Sequence, residues 1–207
     1  MNVGIINYGI GNISSVVGAI KNLEYKHQVI EKVTEFDQID KLILPGIGNF
    51  KKCIEILDSK GFTEKLKEKV LKDKIPILGI CLGMQLLASW GAEGNDANLS
   101  KGLNLIEGKI INLKELGTNK ELPHVGWNSI SIKNSSNILK GIPNNTDFYF
   151  VHNFAYHSIN DEYVIAEANY GINFPAVITK EHIWATQFHP EKSSKWGLKI
   201  IKNFLEN

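Results

Sequence analysis

Ile75-Pro76-Ile77-Leu78-Gly79-Ile80-Cys81-Leu82-Gly83 is the stretch that decides the fold. The apolar run Ile75 to Ile80 reads as a buried strand, and Leu82 to Trp90 as the helix that follows it. Between them a cysteine stands at a sharp turn with glycine on either side, the layout of a nucleophile elbow with Cys in place of Ser. The glycines have a physical reason: the turn is strained and brings backbones together, so flanking side chains would clash. The start of the helix would favour a thiolate and turn free N–H groups toward a developing oxyanion. The plain alternative is a buried Cys at a strand end, with glycine there only for packing.

Outward from this stretch, strand-like and helical patterns alternate. Val3 to Ile6 is strand-like; Asn12 to Leu23 has helical spacing, with Ile13, Val16, Val17 and Ile20 on one face. His27 to Ile30 and Lys41 to Pro45 read as strands, and Asn49 to Leu57 as helical. Glu64 to Lys74 is a charged amphipathic helix with Leu66, Val70 and Leu71 inward. This βαβα order predicts an α/β fold: a doubly wound, mostly parallel sheet with helices on both faces. Sites in such sheets gather beyond the carboxyl ends of the strands. Downstream, Gly102 to Leu113 reads as a strand pair or hairpin. Further strands are expected at Trp127–Ile132, Thr146–Val151, Tyr163–Ala168, Ala176–Thr179 and Ile183–Gln187, and a closing helix at Ser194–Leu205. No repeat, low-complexity segment or linker interrupts residues 1–207, which read as one domain.

Composition narrows the function. Hydrophobic residues are 43% and charged residues 22%, ordinary for a globular protein. A net charge of +1 provides no basic field for nucleic acid or an anionic membrane. All 23 basic residues are Lys, so bidentate guanidinium forks are absent. No apolar run approaches the roughly 20 residues that span a bilayer. The only cysteines, Cys53 and Cys81, form no CxxC pair and no zinc spacing, which points to a cytosolic location.

Two further motifs bear on the cysteine. In Gln187-Phe188-His189-Pro190-Glu191-Lys192-Ser193, His189 supplies the base that a nucleophilic Cys needs. Glu191, two residues on in an extended segment, falls on the same side to orient it. Pro190 stiffens the link. A lone His-x-Glu is more often surface decoration; beside a Cys elbow it is not. Leu44-Pro45-Gly46-Ile47-Gly48 ends the third strand with two glycines, where a loop can supply an oxyanion N–H. No Lys-Ser/Thr follows, so it is not a phosphate loop.

The order Pro45-Gly46-Ile47-Gly48, Gly79-Ile80-Cys81-Leu82-Gly83-Met84-Gln85, Gln187-Phe188-His189-Pro190-Glu191 resembles the class I glutamine amidotransferases, along the whole chain and with their flavodoxin-like architecture. More narrowly it is similar to the glutaminase subunits of imidazole glycerol phosphate synthases. The segments that carry this are Asn7-Tyr8-Gly9-Ile10-Gly11-Asn12, Pro123-His124-Val125-Gly126-Trp127-Asn128, Tyr149-Phe150-Val151-His152 and Pro190-Glu191-Lys192-Ser193. The resemblance implies a Cys81–His189–Glu191 triad that hydrolyses L-glutamine through a thioester, without cofactor or metal. It implies an oxyanion hole at Leu82 and Gly46, Ile47 and Gly48. It implies substrate contacts at Gln85, Tyr149, His152, Asn153 and Phe154. It places Tyr8, Asn12, Trp127 and Lys192 toward a (β/α)8 cyclase partner that takes the ammonia in histidine biosynthesis.

Two departures fall where glutamine binding or partner coupling is expected. Asn153-Phe154 stands where the family shows a small hydroxyl residue and Tyr, and Ser129 where Gln is common. Paralogues that feed ammonia to sugar-amidating enzymes are therefore a second expectation, and a γ-glutamyl hydrolase or peptidase on the same architecture a third. Cys53 reads as packing. His152 and His157 lack a third metal ligand at a usable spacing. Trp90, Trp184 and Trp196 read as core or interface aromatics.

Overall fold

The computed structural model describes residues 1–94 and 99–207. The chain alternates strand and helix through its first half: β1 (Asn2–Ile6), α1 (Ile13–Asn22), β2 (Lys26–Ile30), β3 (Lys41–Gly46), α2 (Phe50–Ser59), α3 (Phe62–Lys67), β4 (Ile77–Cys81) and α4 (Leu82–Leu86). Two-residue strands β5 (Trp90–Gly91) and β6 (Ser100–Lys101) follow. The second half holds β7 (Gly108–Asn112), β8 (His124–Ile132), β9 (Thr146–His152), β10 (Phe154–Ser158), β11 (Val164–Asn169), β12 (Asn173–Lys180), β13 (Ile183–Thr186) and α5 (Ser194–Glu206).

Among the described residues the main sheet has nine strands in the order β2-β1-β3-β4-β13-β12-β11-β8-β9. From β2 to β13 every pairing is parallel, and from β13 to β9 every pairing is antiparallel. The parallel strands alternate apolar side chains between two cores, as strands buried on both faces must. Ile6, Leu42, Leu44 and Ile77 pack with α2, α3 and α4 through Phe50, Leu57, Phe62, Leu66 and Met84. Val3, Ile5, Ile43, Leu78 and Ile80 pack with α1 and α5 through Val16, Ile20, Ile200 and Phe204. Each such fully buried side chain stabilises by about 1.5–3 kcal/mol. The doubly wound arrangement expected from the sequence is thus present, with an antiparallel extension.

Three expectations are corrected. The helix after Cys81 ends at Leu86 instead of running to Trp90. Its last carbonyls are taken by the following loop: Leu103 N–H donates to Leu86 O at 2.9 Å, Leu105 N–H to Leu87 O at 2.9 Å and Asn104 N–H to Ala88 O at 3.0 Å. A Cβ on Gly102 would sit 2.2 Å from Ala88 O, so only glycine permits the approach. The same contact corrects the expected hairpin at Gly102–Leu113: residues 102–106 cap α4, and only Gly108–Asn112 forms strand. That strand pairs with β10, which the sequence reading missed, in a second sheet ordered β10-β7-β5-β6. Lastly, Leu71 is 45% exposed rather than inward. The helix beyond α3 closes in a π turn over Glu68–Lys72, whose extra residue per turn rotates Leu71 off the apolar face while Val70 stays buried.

Candidate active site

β4 delivers Cys81 to the carboxyl edge of the parallel half, where φ +54° and ψ −111° hold it in a sparsely populated conformation that costs about 1–3 kcal/mol. The elbow closes only because its flanks are glycine. A Cβ on Gly83 would lie 1.8 Å from Leu44 O, and one on Gly79 would lie 2.9 Å from Gly83 O. Register does the rest. Gly46 pairs with Cys81 across β3 and β4, so the Gly46–Gly48 loop lies over the start of α4 beside Leu82. α4 is five residues long and has little macrodipole to offer, so any stabilisation of a thiolate falls on local N–H groups.

β13 runs parallel to β4 with Thr186 opposite Ile80, and carries the chain on to Gln187, Phe188 and His189 beside the elbow. Phe188 stacks on Phe148 of β9 at 4.1 Å between ring centroids. His189 N–H donates to Tyr149 O at 2.9 Å, and the Ser193 hydroxyl donates to His189 O at 2.6 Å. A 3₁₀ turn at Pro190–Lys192 then folds Glu191 back, and its Oε1 accepts from His189 Nδ1 at 2.8 Å. Both side chains are buried, at 2% and 1% exposure. With Nδ1–H committed to Glu191, His189 Nε2 is the basic nitrogen, and among the described residues it has no hydrogen-bond partner. Burial lowers the imidazole pKa, but the Cys81 sulfur and then the Glu191 carboxylate outweigh it and push His189 up to about 10.

The cysteine opens into a cavity of about 620 Å³. Of the residues expected around it, Ile47, Gly48, Leu82, Gln85, His152, Asn153, Phe154 and His189 line it with Cys81. Gly46 lies behind the lining, and Glu191 behind His189. Gln85 donates both amide hydrogens inward, to Phe154 O at 2.9 Å and to Gln187 Oε1 at 3.1 Å, and so presents its own carbonyl oxygen to the cavity. His152 donates from Nδ1 to Phe154 O at 2.8 Å and meets His124 across β8–β9. Burial lowers both imidazoles, His124 to about 4 and His152 to about 3, so both rings are neutral near pH 7.

Two expected positions are corrected. Tyr149 faces away from the cavity, its ring 6.2 Å from Trp127 and 5.9 Å from Lys192 Nζ, because the odd position of β9 points outward where His152 points in. Tyr8 is fully buried under the Gly46 loop, its hydroxyl without a partner among the described residues and held strongly neutral by burial. Asn12 is half-buried at the start of α1, Lys192 is exposed, and Trp127 is 54% exposed on β8. Exposed Val125 and Trp127 share one outer face of β8.

Glu93 was missed by the sequence reading. It is the one carboxylate among the described cavity-lining residues, and its Oε2 accepts from Phe50 N–H at 2.8 Å. Burial raises its pKa, opposed by that backbone bond. The available signal was an acidic residue in the glycine-flanked turn Gly91-Ala92-Glu93-Gly94, shortly after the nucleophile. Asn49, Pro123 and Val151 complete the additions. Among the described residues no group of three or more His, Cys, Asp or Glu is placed to hold a metal ion, and no helix is long and apolar enough to cross a membrane.

The arrangement, a cysteine on a strained elbow with a histidine–glutamate pair beside a cavity, is that of a Cys-dependent hydrolase on a doubly wound sheet. The chain belongs to the class I glutamine amidotransferase family, whose model, Glutamine amidotransferase class-I, matches residues 4–207. It is 44% identical over 203 residues to the imidazole glycerol phosphate synthase subunit HisH 1 of Campylobacter jejuni (strain RM1221), covering 98% of each chain. It is 44% identical over 208 residues to the imidazole glycerol phosphate synthase subunit HisH of Methanocaldococcus jannaschii, covering 99% of this chain and 98% of the relative. Among solved structures, PurLQS from Thermotoga maritima shares the fold at a TM-score of 0.76 and 14% identity, over 99% of this chain and 97% of that one.

Proposed function

We propose that this chain is the glutaminase subunit of an imidazole glycerol phosphate synthase, acting as one domain in the cytosol. It hydrolyses L-glutamine and passes the ammonia to a cyclase subunit in histidine biosynthesis. The observation that carries the reading is the strained Cys81 beside a buried His189–Glu191 pair at the mouth of the cavity. The relatives named as subunits of that synthase, matched over nearly their whole length, support the pathway.

In this reading glutamine enters side chain first. Glu93 takes its α-ammonium group, since no other carboxylate among the described residues lines the cavity. The Gln85 carbonyl accepts from the carboxamide NH2, which separates glutamine from glutamate. Cys81 Sγ attacks the carboxamide carbon, and the oxyanion is met by N–H groups of Leu82 and the Gly46–Gly48 loop. His189 protonates the leaving nitrogen from Nε2, so that ammonia departs and a γ-glutamyl thioester remains. His189 then takes a proton from water, which attacks the thioester and frees glutamate and Cys81. Glu191 holds His189 in the required tautomer throughout.

The exposed Trp127 and Lys192, with the half-buried Tyr149 between them, form the face for the (β/α)8 cyclase, with Asn12 at its margin. Purified chain assayed for glutamate release, alone and with the cyclase and its ribonucleotide substrate, tests the proposal. Strong stimulation by the cyclase, lost in Cys81→Ala, is expected. Hydrolysis that the cyclase never stimulates would instead assign the chain to a sugar-amidating partner.

A further inference from the structure

A line of hydrogen bonds, made by side chains and by the shared Phe154 carbonyl, joins strand β8 to Cys81. Asn128 Nδ2 donates to Asn169 O at 2.9 Å and to His124 Nε2 at 3.3 Å. His124 Nδ1 and His152 Nε2 are 3.0 Å apart, and His152 Nδ1 donates to Phe154 O at 2.8 Å. The same carbonyl accepts from Gln85 Nε2 at 2.9 Å, and Gln85 Nε2 also donates to Gln187 Oε1 at 3.1 Å. Gln187 Nε2 ends the line on Cys81 Sγ at 3.8 Å.

Every hydrogen in this line has one possible place. A backbone carbonyl only accepts, so His152 must carry its proton on Nδ1 and, as a neutral ring, accept at Nε2. His124 must then donate from Nδ1 and accept at Nε2, which agrees with the Asn128 amide opposite. Gln85, with both hydrogens fixed, leaves Gln187 a single orientation: oxygen toward Gln85 and NH2 toward sulfur. His124 is clamped further by stacking on Tyr170 at 4.0 Å and on Phe150 at 5.1 Å.

We propose that Asn128, His124, His152 and Gln85 are positioning residues whose ordered hydrogen bonds hold the Gln187 amide N–H on the Cys81 sulfur, where it stabilises the thiolate. The role rests on the glutaminase reading of the site, yet its tests need no glutamine. Asn128 adjoins Trp127, so the line begins on the face assigned to the cyclase and ends on the reacting atom. A structural filler at His124 would need only a ring; this role needs a donor at the Nδ1 position.

Two measurements test it. Imidazole 15N spectra of the unaltered chain at pH 7 are expected to show both His124 and His152 neutral and protonated on Nδ1; either ring charged or protonated on Nε2 overturns the order. Alkylation of Cys81 by iodoacetamide, followed by peptide mass to separate it from Cys53, is then compared between His124→Asn and His124→Phe. Asn keeps a donor near the Nδ1 position but loses the stacking; Phe keeps the stacking but has no donor. His124→Asn is expected to stay within about threefold of the parent rate and His124→Phe to fall about tenfold or more. Equal rates, or the reverse order, overturn the proposal. Should His124→Phe not fold, Asn128→Leu removes the donor at the far end and is read in the same way. Absence of glutamine hydrolysis by the unaltered chain even with the cyclase and its ribonucleotide substrate would reject the glutaminase reading without altering either result.

Discussion

The two halves of the main sheet contribute to the site in different ways. The parallel half supplies the groups proposed to react from strand ends: Cys81 at the end of β4, the loop that begins at Gly46 at the end of β3 and His189 just past β13. Their placement follows from strand order and from glycines that let backbones touch. The antiparallel half supplies orientation through a cross-strand pair of side chains: His124, which opens β8, and His152, which closes β9, face each other, and His152 reaches the cavity. A site of this kind has its chemistry written in short motifs and its alignment written in cross-strand register.

The largest effects of substitution are expected in the parallel half. Cys81→Ala should abolish glutamine hydrolysis, lowering kcat by about four orders of magnitude or more in a glutamate-release assay, while thermal unfolding changes little. Measurable turnover at more than about a hundredth of the parent rate would remove Cys81 from the chemistry. Gly83→Ala places a Cβ 1.8 Å from Leu44 O and should destabilise by about 4 kcal/mol or more in denaturant unfolding, if soluble protein forms at all. A variant of parental stability would show that the elbow is looser than described.

Glu191→Gln keeps the shape and removes the charge behind His189. A loss of about a hundredfold in kcat is expected, with KM little changed. Its linkage has a definite sign. His189 is raised from its unfolded value near 6.5 to about 10, so its contribution to stability is complete below about pH 6.5 and is lost as pH rises toward 10. Urea unfolding at pH 6, 8 and 10 should show that decline in the parent and a flatter profile in Glu191→Gln. Identical profiles would mean that the carboxylate does not support the charged imidazole.

Smaller effects sharpen the boundary between the halves. Glu93→Gln should raise KM for glutamine by about tenfold or more with kcat nearly unchanged, because the carboxylate binds the end of the substrate that does not react. An equal fall in kcat would place Glu93 in the chemistry. Phe188→Leu trims the ring that stacks on Phe148 and ties the His189 segment to β9. It should destabilise by about 1 kcal/mol and lower kcat only a few-fold. A kcat loss as large as that of Glu191→Gln would show that the antiparallel half controls the base as strongly as its own carboxylate does.

The chemistry was readable because each reacting group sits in a motif whose spacing serves a local need. Glycines around Cys81 answer the clash with Leu44 O, and His-x-Glu answers the two-residue return through Pro190. Sequence also carried the βαβα frame, since short apolar runs alternating with helical spacing suit strands buried on both faces. What local pattern could not carry was partnership at a distance. His124 and His152 are 28 residues apart and meet only through the β8–β9 register. Tyr149, expected as a substrate contact, turns outward by strand alternation, and Tyr8, expected toward the cyclase partner, lies under a loop 38 positions later in the chain. The helix after Cys81 stops early because a later loop takes its carbonyls, an event that no propensity records. The Cys81 elbow, the His189–Glu191 motif and the parallel frame were legible along the chain, because each depends on near neighbours in sequence. Which residues wall the cavity, which face of β8 looks outward and which histidines pair emerged only from the fold, because those depend on which strands and loops come to lie side by side.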